Sequence, residues 1–138
     1  MSTRSTISIK ENGKIRTIYS HRNGYPSNNG KLLLEHYTTS EKVNELINLG
    51  DISSLGKFIK PSKDKLHNFD DRQTDVVFAY GRDRGEESCE AREYSIGEGC
   101  KESEECKESE EYDYLFVNGI WKIRSNKRFS ILTMKKCN

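Results

Sequence analysis

Residues 3–20 read TRSTISIKENGKIRTIYS, and this stretch decides the fold class. Ile7 and Ile9 alternate with polar neighbours, which is the two-residue period of a half-buried strand. Asn12 and Gly13 follow, and this dipeptide favours a type I′ hairpin turn because both central residues of that turn need a positive φ. The next segment, IRTIYS, is again rich in strand-forming residues. The stretch therefore predicts a β-hairpin.

Further strands are predicted along the rest of the chain. YDYLFVNGIWKI at 112–123 contains a second Asn-Gly pair between apolar segments, which predicts a second hairpin. DVVFAY at 75–80 is rich in β-branched and aromatic residues, and AREYSI at 91–96 is expected to be its antiparallel return strand. RFSILTM at 128–134 predicts a final strand.

Two or three short helices are predicted in the first half of the chain. GKLLLEHY at 30–37 places Leu33 and Tyr37 on one helical face. EKVNELINLG at 41–50 follows capping residues and ends at a glycine, and DISSLG at 51–56 repeats that pattern as one short turn. Strands that are adjacent in sequence, with helices confined to the first half, predict an α+β fold with a mostly antiparallel sheet built from hairpins.

Charge is distributed unevenly along the chain, although the net charge is only +1. Residues 86–113 contain twelve acidic and three basic side chains, whereas 114–138 contain six basic and no acidic ones. Within the acidic block, 97–111 repeats CKESEE in tandem, which is typical of a low-complexity segment outside any core. Because 138 residues fit one domain, we expect a single domain, 1–138, with an acidic insertion at about 97–111.

Several function classes lack their sequence signals. The chain has no GxSxG, GxGxxG, Walker or HExxH motif, so no catalytic residue is assigned and we expect a non-enzymatic protein. Its four cysteines form no CxxC pair, which argues against a metal site, and no cofactor is predicted. No apolar segment is long enough for a membrane span or a standard signal peptide, which favours the cytoplasm. The acidic block outweighs the basic C-terminal WKIRSNKR, so nucleic-acid binding is not expected.

Two loops carry the chemistry of a candidate ligand-binding site. SHRNGYPSNNG at 20–30 offers a titratable ring, a cation and a stacking surface beside glycine. GRDRG at 81–85 follows a predicted strand and presents two arginines, whose planar side chains recognise phosphate or carboxylate groups with paired hydrogen bonds. We hypothesise that the two loops converge on one pocket. The candidate ligand-binding residues are His21, Arg22, Asn23, Gly24, Tyr25, Tyr80, Arg82, Asp83 and Arg84.

Each loop also has a structural interpretation. Tyr25 and Pro26 are able to anchor an unusual strand-to-helix connection on the core. Arg82 and Arg84 are able to pair with Asp83, or with the acidic block, in an ordinary surface turn. The sequence leaves both alternatives open.

Four blocks of the sequence carry a resemblance to known proteins: STRSTISIKENGKIRTIYSHRNGYPSNNGKLLLEHY, LINLGDISSLG, AYGRDRGE and YLFVNGIWKI. In this order they resemble a family of small uncharacterised bacteriophage and prophage proteins. Members of that family begin with a Thr-Arg-Ser-Thr strand and carry a His-Trp-Asp-Gly-Tyr loop before the first helix. This chain matches that loop at His21, Gly24 and Tyr25, but has Arg22 and Asn23 in place of the Trp-Asp pair. The difference implies either that Arg22 stacks where the tryptophan does or that the ligand differs.

The resemblance implies a phage origin and no established activity. Small phage accessory proteins without catalytic motifs often counteract host antiviral defence, some by sequestering nucleotide signals and others by binding a host protein. Arginine-rich loops with aromatic residues suit a phosphorylated small molecule, so sequestration of a nucleotide-like signal is the favoured hypothesis, by analogy alone. A protein–protein inhibitor of a host defence protein is the alternative, followed by a nucleotide-processing enzyme. A homo-oligomer is left open as a way to combine enough contacts in one site.

Overall fold

The computed structural model describes residues 3–63, 67, 72–95, 110–124 and 129–133. These residues form one mixed sheet of eight strands and three short α-helices, which confirms the predicted α+β class with a mostly antiparallel sheet. The strands are β1 (Ser5–Glu11), β2 (Lys14–Ser20), β3 (Ile52–Ser54), β4 (Phe78–Ala79), β5 (Arg92–Ser95), β6 (Tyr112–Val117), β7 (Ile120–Arg124) and β8 (Ser130–Ile131). The helices are α1 (Lys31–His36), α2 (Ser40–Ile47) and α3 (Tyr80–Arg84). The acidic insertion predicted at about 97–111 lies outside the described residues apart from its last two positions.

Both predicted hairpins are present. β1 pairs with β2 in antiparallel register, and Asn12 and Gly13 between them have φ values of 53° and 73°. β6 pairs with β7 in the same way, and Asn118 and Gly119 have φ values of 51° and 78°. All four values lie in the left-handed region that a type I′ turn requires.

The two hairpins are joined by a parallel pairing of β1 with β6. The resulting strand order is β4-β3-β2-β1-β6-β7-β8, and β5 pairs separately with β2. A buried polar row crosses this junction, where Asp113 accepts hydrogen bonds from Thr6 Oγ1 at 2.8 Å and from Arg124 Nε at 3.1 Å. Both side chains of the Asp113–Arg124 ion pair are less than one-tenth exposed, so the row penalises any other register between the hairpins.

The main core lies between the sheet and the pair α1 and α2. The strands contribute alternate apolar side chains, and the helices contribute their apolar stripes. Fully buried members of this core include Ile7, Ile9, Ile18, Leu33, Tyr37, Val43, Leu46, Ile47 and Tyr114. Tyr37 is also hydrogen-bonded, since its hydroxyl donates to the Gly56 carbonyl at 2.7 Å and its carbonyl accepts from Trp121 Nε1 at 2.8 Å. Burial raises the pKa of the Tyr37 hydroxyl above its ordinary value of 10.0.

The ends of α2 follow the predicted signals. The Thr39 hydroxyl caps the helix by accepting a hydrogen bond from the Lys42 amide at 3.2 Å. Beyond the helix, Gly50 has a φ of +81°, and a Cβ atom at this position would overlap the Cys89 carbonyl. Gly50 therefore ends the helical segment. Because it has no side chain, Cys89, which precedes β5, is able to pack directly against its backbone.

DISSLG at 51–56 forms β3 rather than the predicted turn of helix. The carbonyls of Ile52 and Ser53 accept hydrogen bonds from the amides of His21 at 3.1 Å and Arg22 at 2.9 Å. Ile52 is also fully buried against the core. The chain at the end of the first hairpin thus supplies backbone hydrogen-bond partners for a strand. The capping residue and glycine of DISSLG, which predict a helical turn, do not reveal these partners.

Two predictions about the second half also need correction. AREYSI does not return along DVVFAY, because β5 pairs with Lys14–Thr17 of β2. β3 meets β2 only at Ser20, so the remaining edge of β2 accepts β5. DVVFAY is a strand only at Phe78–Ala79, and the following GRDRG is helical in α3 instead of a loop. The Asp83 carboxylate starts this helix by accepting the Ala79 amide at 2.8 Å.

Candidate functional site

The 20–30 loop is anchored to the sheet through its main chain. The Gly24 amide donates to the Thr3 carbonyl at 2.8 Å, and the Gly24 carbonyl accepts from the Tyr114 hydroxyl at 2.6 Å. A Cβ atom on Gly24 would lie 2.7 Å from Ser5 Cβ, so only glycine fits without a shift. Buried Asn29 donates to Ser5 Oγ at 3.2 Å, and residues 26–30 form a short π-helical segment that leads into α1. Gly24 therefore has a structural role in this loop.

The exposed rim of the same loop carries the predicted binding groups. Arg22 and Asn23 are exposed, and Tyr25 is 39% exposed. Asn23 has a φ of 54°, in the left-handed region that asparagine tolerates better than most residues. Within the ranges that the structure describes, the Arg22 guanidinium makes no hydrogen bond or ion pair. The Arg22 side chain is therefore open to solvent.

His21 pairs with a ring that the sequence analysis did not single out. Its Nδ1 atom lies 2.7 Å from the Tyr19 hydroxyl, and the two ring centroids are 5.9 Å apart. Burial raises the pKa of the Tyr19 hydroxyl above 10.0, while nearby Arg4 acts in the opposite direction. Tyr19 and His21 are separated by two positions along the extended chain, so both lie on the sheet face opposite α1 and α2.

Arg82 and Asp83 are held by the protein itself. Arg82 Nε and Nη2 donate to the two carboxylate oxygens of Asp83 at 2.8 and 2.9 Å. The same guanidinium donates to the carbonyls of Ile59 at 2.5 Å and Val77 at 2.7 Å. The Asp83 side chain is only 6% exposed, and its Oδ2 atom lies 3.3 Å from His67 Nε2. These contacts favour the structural interpretation for Arg82 and Asp83.

Tyr80 and Arg84 have more open positions on α3. Arg84 is 47% exposed at its side chain and forms an ion pair with the Glu86 carboxylate at 3.5 Å. Tyr80 is partly exposed, and its amide donates to the Asp51 carbonyl at 3.2 Å. The short helix ends at Gly85, which has a φ of +71°. Two of the four residues predicted around this segment are thus accessible to a ligand.

Arg72 stands between the two predicted segments, and sequence reasoning missed it. Its Nη1 atom donates to Ser53 Oγ at 3.1 Å, and its guanidinium carbon lies 4.2 Å from the centroid of the Phe78 ring. Burial, and then repulsion by Arg22, lower the pKa of the Arg72 guanidinium below its ordinary value, and Arg84 acts in the same direction. We call Arg22, Arg72 and Arg84 the arginine cluster.

The structure thus brings the two predicted segments to either side of β3. Ser53 of β3 accepts the Arg22 amide on its carbonyl and the Arg72 guanidinium on its hydroxyl. On the other side, β3 pairs with β4, which leads directly into Tyr80. The convergence of both segments on a single pocket remains a prediction. Arg72 could not be found from sequence, because no motif surrounds it and only the fold carries it there.

Three further observations concern metal-ligating groups, membrane-spanning helices and a cysteine in the part of the chain that the structure describes. No group of three or more His, Cys, Asp or Glu side chains there is arranged to hold a metal ion. None of the described helices has the length and apolar character needed to cross a membrane. Cys89 is a free thiol whose pKa is raised by burial and then by Asp51.

Comparisons with known proteins add no assignment. No protein-family model, curated protein or solved structure matches this chain.

Proposed function

We propose that this chain binds and sequesters a small phosphorylated molecule of the nucleotide type, with the arginine cluster as its anion-binding group. The carrying observation is that Arg72 is held by Ser53 and the Phe78 ring, with Arg22 and Arg84 close enough to influence it electrostatically. Guanidinium groups bind phosphate with paired, charge-assisted hydrogen bonds. Three of them at one end of a sheet suit a ligand with more than one phosphate oxygen to bind.

Electrostatics supports an anionic ligand. Arg72 is partly buried and repelled by Arg22, and both effects lower the pKa of its guanidinium. An anion bound near Arg22 and Arg72 would be attracted by both guanidinium groups. Because the Arg72 guanidinium is already fixed, less side-chain entropy is lost on binding.

Aromatic side chains near the cluster suit the rest of a nucleotide. Tyr25 is 39% exposed on the rim of the 20–30 loop, and Tyr80 interacts electrostatically with Arg72. His21 and Tyr19 form a hydrogen-bonded ring pair next to the same loop. Base-to-aromatic stacking contributes about 1–3 kcal/mol per base. A nucleobase is therefore a suitable neighbour for phosphates held by the arginines.

The number of available contacts fits a moderate affinity. A charge-assisted hydrogen bond contributes roughly 1.5–3 kcal/mol, and micromolar binding requires about 8 kcal/mol after the costs of association. No single arginine reaches this value, so several arginines and a stacked ring must act together. A symmetric homo-oligomer that joins two such sites would raise the affinity further.

The biological setting that we propose is that of a bacteriophage accessory protein acting in the host cytoplasm. Sequestration of a nucleotide immune signal would counteract host antiviral defence without catalysis. This setting is supported by the sequence resemblance described above and by the lack of recognisable catalytic motifs. Inhibition of a host defence protein by direct contact is the competing outcome of the tests below.

Calorimetric titration with cyclic dinucleotides, cyclic ADP-ribose isomers and linear nucleotides tests the ligand class. We expect at least one phosphorylated compound to bind and the matching unphosphorylated nucleoside not to bind. Arg22→Ala and Arg84→Ala should each weaken binding by roughly tenfold. Lys14→Ala is the matched control, because it removes an exposed cation at the opposite end of β2.

The outcomes separate the candidate functions. Ligand released by heat and chromatographed should be chemically unchanged, whereas a cleaved product would support the enzymatic alternative. Failure of every phosphorylated compound to bind, together with capture of a host defence protein, would support the protein-inhibitor alternative. Equal affinities for the Arg22 and Lys14 variants would reject the arginine cluster as the binding site.

A further inference from the structure

His67 is a buried histidine with a defined pattern of hydrogen bonds. Its side chain is only 3% exposed, and its Nδ1 atom lies 3.0 Å from the Gln73 amide nitrogen. A backbone amide only donates, so Nδ1 must accept and the ring proton of the neutral form lies on Nε2. Nε2 is 3.0 Å from the Val77 carbonyl and 3.3 Å from Asp83 Oδ2, which both accept.

Gln73 is held at both its main chain and its side chain. Besides the amide bond to His67, its side-chain oxygen accepts from the Ser62 amide at 2.7 Å, and its side-chain nitrogen donates to the Ser62 carbonyl at 2.9 Å. Gln73 directly follows Arg72 in the chain. The contacts of Gln73 therefore constrain the main chain next to Arg72.

A second route connects His67 with Arg72 through the Phe78 ring. The His67 and Phe78 ring centroids are 5.4 Å apart in an edge-to-face arrangement. The Arg72 guanidinium stacks on the same Phe78 ring at 4.2 Å. Among the residues that the structure describes, the charged groups facing His67 are the Asp83 carboxylate and, beyond it, the Arg82 guanidinium. His67 thus packs under both the main chain and the aromatic support of Arg72.

We infer that His67 is a positioning residue for Arg72, acting through the Gln73 amide and the Phe78 ring to hold the guanidinium in the arginine cluster. The inference rests on the proposed function for its effect on ligand binding. His67 itself is too deeply buried to contact a ligand. Its contribution is the acceptor at Nδ1, which fixes the chain next to Arg72 before any ligand arrives.

Two substitutions separate the two ring nitrogens. In His67→Asn the side-chain oxygen is able to replace Nδ1 as acceptor for Gln73, whereas in His67→Gln the longer amide reaches the Nε2 position and leaves the Gln73 amide without its acceptor. Binding of the tightest phosphorylated nucleotide found above should weaken roughly fivefold to tenfold in His67→Gln and recover in His67→Asn. Equal affinities for the two variants would contradict the inference.

Measurements on the ligand-free protein distinguish this inference from the proposed function. Nitrogen NMR of wild-type protein should find His67 with its proton on Nε2, and the Gln73 amide should exchange slowly with solvent. In His67→Gln the Gln73 amide should exchange faster, and the Arg72 Nε–H signal should broaden. A wild-type ring protonated on Nδ1, or a rapidly exchanging Gln73 amide, would overturn the inference whether or not a nucleotide binds. If the NMR results hold and no nucleotide binds, only the proposed function fails.

Discussion

Arg82→Ala separates an arginine that holds the fold from one that binds a ligand. Arg82 donates to both oxygens of a carboxylate that is 6% exposed and to the carbonyls of Ile59 and Val77. Removing one partner of a buried ion pair costs about 3–5 kcal/mol. The Arg82 side chain is 26% exposed, and Asp83 keeps its bond from the Ala79 amide. We therefore expect the free energy of unfolding to fall by about 2–3 kcal/mol.

Urea unfolding followed by tryptophan fluorescence measures this change, because the chain has one tryptophan and Trp121 is only 3% exposed. Arg84→Ala is the control, since it removes an arginine two positions away whose side chain is 47% exposed. The control should lose less than about 1 kcal/mol. An Arg82→Ala protein as stable as the Arg84→Ala protein would refute the assignment of Arg82 to the scaffold.

The remaining predictions concern the close packing of Gly24 against Ser5 and the buried hydroxyl of Tyr37. Gly24→Ala should lower the free energy of unfolding by about 1–3 kcal/mol, because the new Cβ would lie 2.7 Å from Ser5 Cβ; urea unfolding that matches wild type would contradict this. Burial raises the pKa of Tyr37 above 10.0, so above this pH the unfolded chain binds fewer protons than the folded one. Stability should therefore fall by about 1.4 kcal/mol per pH unit there, and a Tyr37→Phe protein with the same slope would reject this cause.

The elements that the sequence predicts correctly are those whose signal is local. Asn12 and Gly13, like the pair at 118–119, adopt positive φ because of their own chemistry, and the turn then sets the register of the flanking strands. The α2 cap at Thr39 and the buried positions of α1 have the same local origin. Hairpins and capped helices form from neighbours in the chain, so one sequence is sufficient to predict them.

Pairings between strands that are far apart in the sequence cannot be predicted from local sequence patterns. The parallel junction of β1 with β6 joins residues about a hundred positions apart, and β3 and β5 take their places on edges that only the completed hairpin offers. DISSLG has a cap and a glycine in its favour as a helix, yet the hydrogen bonds offered by the amides of His21 and Arg22 decide the outcome. Tertiary context outweighs a weak local preference in such short segments.

For the candidate site, the sequence offered arginines and aromatic residues in two segments but could not divide them into roles. Arg82 and Arg84 are the same residue type on either side of Asp83, so the sequence does not distinguish them. In the structure Arg82 is bound to Asp83 and is less exposed than Arg84. Gly24 was assigned to a ligand, but its lack of a side chain is explained by the approach of Ser5. Arg72 lies in no motif, and its position depends on Gln73 and His67.

On the proposed function, arginines at this end of the sheet fall into a supporting group and a ligand-binding group, and this separation has a physical reason. Arginines that face a ligand repel one another, so they need a support whose own charges are already satisfied. Asp83 and Arg82 neutralise each other within α3, and among the described residues no buried side-chain polar atom lacks a hydrogen-bond partner. A fixed support of this kind keeps Arg72 near Arg22 despite their repulsion. Substitutions of Arg82 or Asp83 should therefore lower the free energy of unfolding, whereas substitutions of Arg22 should lower only the affinity for the ligand.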